Sequence, residues 1–150
     1  MKPYEISEGG LLISDDKARL DRPFIHRFLA QRSYWATDVP MEVVDRSIEY
    51  SLCLGLYKAG RQIGFARAVT DFATFAWLAD VFITDEERGS GYGKKLVAAI
   101  IAHPGLQGLR RIVLGTRDAH TLYKQFGFTE LKYPERFMEM VPETRYKSGS

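Results

Sequence analysis

The chain is poor in cysteine, in long apolar runs and in charge of one sign. Cys53 is the single cysteine among 150 residues. No intrachain disulfide can form, and the scarcity suits a reducing cytoplasm. No apolar run approaches the roughly 20 residues that a membrane-spanning helix needs. The opening Met1-Lys2-Pro3-Tyr4 carries no signal-peptide pattern, so a cytoplasmic protein is expected. Basic residues number 21 and acidic residues 19, a net charge of +2. That balance excludes neither fold nor enzyme, but it argues against a nucleic-acid partner. His26, His103 and His120 share no metal-ligand spacing with one another or with Cys53, so no metal is expected. There is no Ser/His/Asp arrangement, no paired-carboxylate signature and no internal repeat.

Hydrophobic residues make up 45% of the chain, enough to fill a core. The length is that of one domain. A single domain over 1–146 with a loose tail at 147–150 is expected. Leu11 to Ser14 reads as a short strand. Arg22 to Arg32 reads as a helix with Phe24, Phe28 and Leu29 in its stripe. Pro40 to Tyr50 reads as a second helix, with Pro40 near its first turn. Ser51 to Tyr57 and Gln62 to Asp71 read as strands joined by the hairpin signal Lys58-Ala59-Gly60-Arg61. Phe75 to Thr84 is a third strand in this region. A helix near 91–103, a strand near 111–115, a helix near 118–126 and two last strands near 128–132 and 136–141 complete the reading. This order lacks the repeated βαβ of a doubly wound sheet.

Residues 81–101 say most about function. The apolar run Val81-Phe82-Ile83 meets an acidic turn, then Arg88-Gly89-Ser90-Gly91-Tyr92-Gly93. A helix follows, with apolar positions at Leu96, Val97, Ile100 and Ile101. Strand, glycine loop and helix present backbone N–H groups and a helix dipole to phosphate. Arg88, Lys94 and Lys95 add positive charge. A P-loop is excluded, because position 88 is Arg and position 95 is Lys. The dinucleotide fingerprint is excluded because the glycines alternate at 89, 91 and 93. Glycines alone would also fit a flexible turn before an ordinary helix.

A second segment narrows the choice. In residues 112–128, Ile112-Val113-Leu114-Gly115 is a short apolar strand. Ala119, Leu122, Tyr123 and Phe126 then fall on one helical stripe, ended by Gly127. Arg88, Gly91 and Gly93 fill Gln/Arg-x-x-Gly-x-Gly/Ala, which resembles motif A of the GNAT superfamily of N-acetyltransferases. Ala119, Leu122, Tyr123, Gly127 and Phe128 resemble that family's motif B, Asn-x-x-Ala-x-x-Leu-Tyr-x-x-x-Gly-Phe. Thr116 stands where the family often has Asn. The segments Ser-Tyr-Trp-Ala, Gly-Phe-Ala-Arg-Ala-Val-Thr-Asp and Leu-Ala-Asp-Val-Phe resemble a bacterial GNAT subgroup of unassigned substrate.

The resemblance implies an α+β fold, with a twisted mixed six- to seven-stranded sheet flanked by about four helices. It implies acetyl-CoA as cosubstrate. Its pyrophosphate would rest on Arg88, Gly89, Ser90, Gly91, Tyr92, Gly93 and Lys94. Its pantetheine would meet Thr116, Ala119 and the backbone of Val81, Phe82 and Ile83. Tyr123 matches the family tyrosine that faces the CoA sulfur. A phenol, with a pKa of about 10, can protonate a departing thiolate at neutral pH. Packing on the stripe with Ala119 and Phe126 is the plainer account of Tyr123. Asp80 lies in an apolar strand, where a carboxylate is costly unless used or paired. It reads either as a general base, which the family often places there, or as a structural carboxylate bonded to a cation such as Arg67.

The acceptor side falls on Tyr34, Trp35, Arg67 and Asp71. Tyr34 and Trp35 suit a pocket wall or a cation–π contact with an amine, or a cap on the core. Arg67 and Asp71 could meet a polar substrate or carry surface charge. Cys53 is remote from the loop and is not cast as a nucleophile, and His120 falls off the Tyr123 stripe. The expected activity is acetyl transfer by direct attack of a primary amine, the acceptor being a small or amino-acid-like molecule. Acetylation of a protein or peptide amine, and a CoA-sensing domain without turnover, are the rivals. Because the last strands of such folds often join a partner, a homodimer is compatible.

Overall fold

The computed structural model describes residues 2–143 and Tyr146. The expected tail at 147–150 lies outside them. Strands β1 (Glu5–Glu8) and β2 (Leu11–Ser14) form a hairpin, turning at Gly9 and Gly10. Helix α1 (Arg22–Gln31) starts where the Asp21 carboxylate accepts the Phe24 N–H, and it buries Ile25, Phe28 and Leu29. Helix α2 (Met41–Glu49) follows Pro40, whose fixed φ sets an extended residue before the first turn, and it buries Val44 and Ile48.

Strands β3 (Leu52–Lys58) and β4 (Arg61–Thr70) are joined by Ala59 at φ 51° and Gly60 at φ 76°. Two left-handed residues make the two-residue turn that matches strand twist. Strand β5 (Phe75–Ile83), helix α3 (Tyr92–Ile101), strand β6 (Arg111–Leu114) and helix α4 (His120–Lys124) follow. The sheet runs β1-β2-β3-β4-β5-β6, antiparallel except for the parallel pair β5–β6 that α3 connects. Helices α3 and α4 cover one face, around Leu54, Leu78, Leu96 and Ile100. Helices α1 and α2 cover the other, around Cys53, Phe65 and Phe82.

One irregularity positions the site. Ala66 pairs with Val81 and Ala68 with Leu78, so Arg67 stands opposite both Ala79 and Asp80. This β-bulge reverses side-chain parity along β5. Before it, Ala76 and Leu78 face α3; beyond it, Val81 and Ile83 do, while Phe82 packs under α1. Asp80 is thereby turned to the α1–α2 face. The β5–β6 pairing also ends here, at Leu78 opposite Leu114. From Ala79 to Ile83, β5 pairs, among the described residues, on its β4 side only.

Two expectations are corrected. The stretches 128–132 and 136–141 form no strands. Pro134 withdraws a ladder donor and starts a short 3-10 turn, Pro134–Arg136. Beyond it Phe137 lies under the Arg111 guanidinium at 4.9 Å rather than in a ladder, and Met138 and Met140 are exposed. At the other end, β1 is a strand that the sequence reading missed.

Candidate active site

The glycine loop reaches α3 through a 3-10 turn, Asp85–Glu87. Gly89 has φ 87°, and Gly91, the residue before α3, has φ 80°. Only glycine adopts that region without strain. No side chain caps α3, so its first-turn N–H groups remain available. Gly93 differs: a Cβ there would sit 3.9 Å from Ile83, an ordinary contact. The cations divide. Arg88 donates Nε to the Ile83 carbonyl at 3.2 Å and pairs with Asp85, and Lys95 pairs with Glu8. Lys94 is exposed and has no pairing among the described residues. Ser90 is exposed and Tyr92 is half-buried, 5.7 Å from the Lys58 ammonium.

Beyond the loop, β6 ends at Leu114, opposite Leu78, while β5 runs on to Ile83, and this carboxyl end is the place where parallel strands bind ligands. Helix α4 follows β6 at this end. Thr116 Oγ1 accepts the Ala119 N–H at 3.0 Å and so organises its start. Gly127 at φ 90° ends it, with the Phe128 N–H returning to the Tyr123 carbonyl. Tyr123 is 9% exposed, and burial, with a smaller contribution from Tyr34, pushes its phenol up to about 12. It stands on the wall shared by two cavities, of about 600 and 810 Å³, together with Leu114, Gly115 and Thr116.

The 600 Å³ cavity lies between α1–α2 and the bulge. Asp80, 6% exposed, is held at both oxygens: Trp35 Nε1 donates to Oδ1 at 2.8 Å and Arg67 Nε to Oδ2 at 2.7 Å. Arg67 Nη1 donates to Ser51 Oγ at 3.0 Å. Tyr34 meets Trp35 edge-on with centroids 5.0 Å apart. Its oxygen accepts the Arg117 N–H at 2.9 Å, and the Arg117 guanidinium lies 3.9 Å from its ring. The α1–α2 connection is thus tied to the β6–α4 loop across the cavity.

Comparison with known proteins identifies the family. A family model described as "Acetyltransferase (GNAT) domain" matches residues 49–130. This chain belongs to the GNAT family. A crystal structure from Xanthomonas campestris pv. campestris, described as a "putative acetyltransferase belonging to the gnat family", is 48% identical. It superposes with a TM-score of 0.86 over 95% of this chain and 97% of that one. A Gibberella zeae protein named "Putative acetyltransferase" is 30% identical over 154 residues, covering 87% of this chain and 86% of its own. A GNAT acetyltransferase from Elizabethkingia anophelis, solved with acetyl-CoA bound, shares the fold at 16% identity. Its TM-score is 0.63, over 95% of this chain and 94% of that one. The chain is therefore an acetyltransferase of the acyltransferase class, and GNAT acetyltransferases use acetyl-CoA.

Within this GNAT domain the sequence-predicted residues divide. Val81, Thr116, Ala119 and Tyr123 line the cavity with Tyr34, Trp35, Arg67 and Asp80. Phe82 and Ile83 are buried, and the Phe82 ring stacks on Phe28 at 3.9 Å, so only their backbone can serve a ligand. Asp71 is not brought to the cavity. Its carboxylate accepts from the Thr74 hydroxyl and from the N–H groups of Ala73, Thr74 and Phe75, organising the β4–β5 turn. Those bonds, the Thr74 hydroxyl first, hold it well below the usual carboxylate range. Trp77, Arg117 and Tyr146 line the cavity without having been predicted. Trp77 alternates with buried Ala76 and Leu78, a parity signal for the opposite face. No group of three or more His, Cys, Asp or Glu able to hold a metal occurs among the described residues, and none of their helices could cross a membrane.

Proposed function

We propose that the protein transfers the acetyl group of acetyl-CoA to the primary amine of a small molecule by direct attack on the thioester. The observation that carries this reading is the placement of Tyr123, buried and lining the 600 Å³ cavity beside Leu78 and Leu114, where the β5–β6 pairing ends. The left-handed glycines and the uncapped start of α3 fit a pyrophosphate, with Lys94 as a free cation beside it. The unpaired edge of β5 over Ala79–Ile83 fits the pantetheine and offers N–H groups to the thioester carbonyl oxygen. As the new C–N bond forms and the C–S bond breaks, the amine releases a proton to solvent and the Tyr123 phenol gives its proton to sulfur. A concave cavity spanned by the Tyr34–Arg117 contact favours a small acceptor over a protein surface.

Asp80 fits a positioning role better than that of a base, because Trp35 and Arg67 engage both oxygens. A pH–rate profile of Asp80→Asn separates the two: a lost acidic limb would restore the base. For the activity itself, free thiol is measured after mixing acetyl-CoA with a panel of small amines and peptides. Release with small amines supports the reading. Tight acetyl-CoA binding without release would favour a CoA sensor, and release with peptides alone a protein acetyltransferase.

A further inference from the structure

Arg67 projects from β4 opposite the bulge, with its side chain only 16% exposed. Nε is committed to Asp80 and Nη1 to Ser51. Those two bonds fix the plane of the guanidinium. They leave Nη2 with no acceptor among the described residues, although the side chain lines the 600 Å³ cavity. A half-dried, permanently charged fork with one unused edge is matched by an anionic oxygen more strongly than by a neutral group. Asp80 takes the Nε hydrogen of Arg67 and the Trp35 indole N–H, and leaves Nη2 to another acceptor. Much of the remaining wall is apolar, including Leu29, Val39, Val44 and Trp77. A bare alkylamine would leave the Arg67 edge unmatched beside that surface.

We infer that the acceptor is a primary amine that also carries a carboxylate. The carboxylate docks on the Nη2 edge of Arg67, and the amine faces the thioester beside Tyr123. This rests on acetyl transfer to a small amine in the same cavity. The product is then an N-acetylated amino acid that has lost the positive charge of its amine and kept its anion. Trp35 and Tyr34 contribute the flat side of the slot, and Asp80 keeps Arg67 aimed into it.

Matched pairs test the inference: α-amino acids and ω-amino acids of increasing chain length, each against its primary amide, compared at equal neutral-amine concentration. Thiol release from acetyl-CoA is expected to be about tenfold or more faster in kcat/KM for the acid of the best pair. Arg67→Gln is expected to bring that ratio to about one, and Arg67→Lys, which keeps the charge without the fork, to lower it in part. Trp35 and Trp77, the chain's two tryptophans, both line the cavity, so intrinsic fluorescence reports binding without turnover. The same acids should saturate that signal in the wild type and lose affinity in Arg67→Lys. Equal rates and equal binding for acids and amides would overturn the carboxylate assignment while leaving acetyl transfer to small amines intact. Saturable binding of acids without thiol release would keep the carboxylate site and remove the proposed reaction. Absence of both signals overturns the inference.

Discussion

The two halves of the proposed site are built from different material. Between β5, α3 and α4, the surface offered to a ligand is main chain: glycines at φ 87° and 80°, an uncapped helix start and an unpaired strand edge. Between α1, α2 and β4 it is side chain: Trp35, Asp80, Arg67 and Ser51 in one line of hydrogen bonds. A backbone cradle needs few particular residues, and those are glycines with conformational reasons. A buried side-chain network needs every member, because each partner removed strands the others. The first kind suits a donor shared by a whole family. The second suits an acceptor particular to one enzyme.

The largest expected effect breaks the side-chain half. Asp80→Ala leaves the Arg67 guanidinium without its counter-ion and Trp35 Nε1 without an acceptor. Losing one member of a mostly buried pair costs about 4 kcal/mol. For a domain of this length that is a fall in Tm of about 10 °C, which calorimetry would detect. Asp80→Asn keeps the shape and an acceptor oxygen and should lose less. If Asp80→Ala melts like the wild type, the network contributes nothing and the contrast between the halves collapses.

A smaller effect sharpens the backbone half. Gly91→Val places a β-branched residue at φ 80°, at a strain of about 2 kcal/mol. If the loop relaxes away from its anion-binding shape, that converts to a KM for acetyl-CoA raised about thirtyfold. The acceptor KM should hold steady, since Gly91 does not line the 600 Å³ cavity. Steady-state kinetics with each substrate varied in turn checks both. A rise in both constants would mean that the halves are not separable.

The same contrast explains what could be read from sequence. Pro40, Gly60, Gly91 and Gly127 act through local backbone rules, and all four appear in the structure as turns or helix ends. The Gly9-Gly10 dipeptide obeys the same rule, yet β1 was missed, because Glu5, Ser7 and Glu8 give it little apolar alternation. Asp80 stood out as an acid in an apolar strand, but its partner Trp35 lies 45 residues away. No local signal marks the bulge at Ala79–Asp80, which depends on how β5 pairs with β4 around Arg67. Asp71 has the charge for a polar substrate, but it lies just past the end of β4 at Thr70, and Thr74, three residues on, holds its carboxylate in the turn. Apolar residues between 128 and 141 suggested strands, and Pro134 diverted the chain.

Tyr123 belongs to both halves, since it stands on α4 yet lines the acceptor cavity, and its removal should therefore be felt in turnover rather than in either affinity. Tyr123→Phe deletes one hydroxyl from a buried ring that still packs on Phe128 at 5.8 Å. The expected result is a kcat about tenfold lower with the acetyl-CoA dissociation constant unchanged. Burial raises the phenol from 10.0 to about 12. Raising this pKa keeps the phenol protonated across the working range and at the same time makes it a weaker acid toward the thiolate, which limits the rate it can contribute. The wild-type rate should show no basic limb from this group below about pH 11. The linked stability has the same sign: it is fully present below the unfolded pKa and is lost as pH climbs through the folded one. Melting curves between about pH 9 and pH 12 should fall less steeply for Tyr123→Phe than for the wild type. An unchanged kcat at saturating acetyl-CoA would reduce Tyr123 to a packing residue, and the two halves would then meet at Val81, Thr116 and Ala119 with no acid between them.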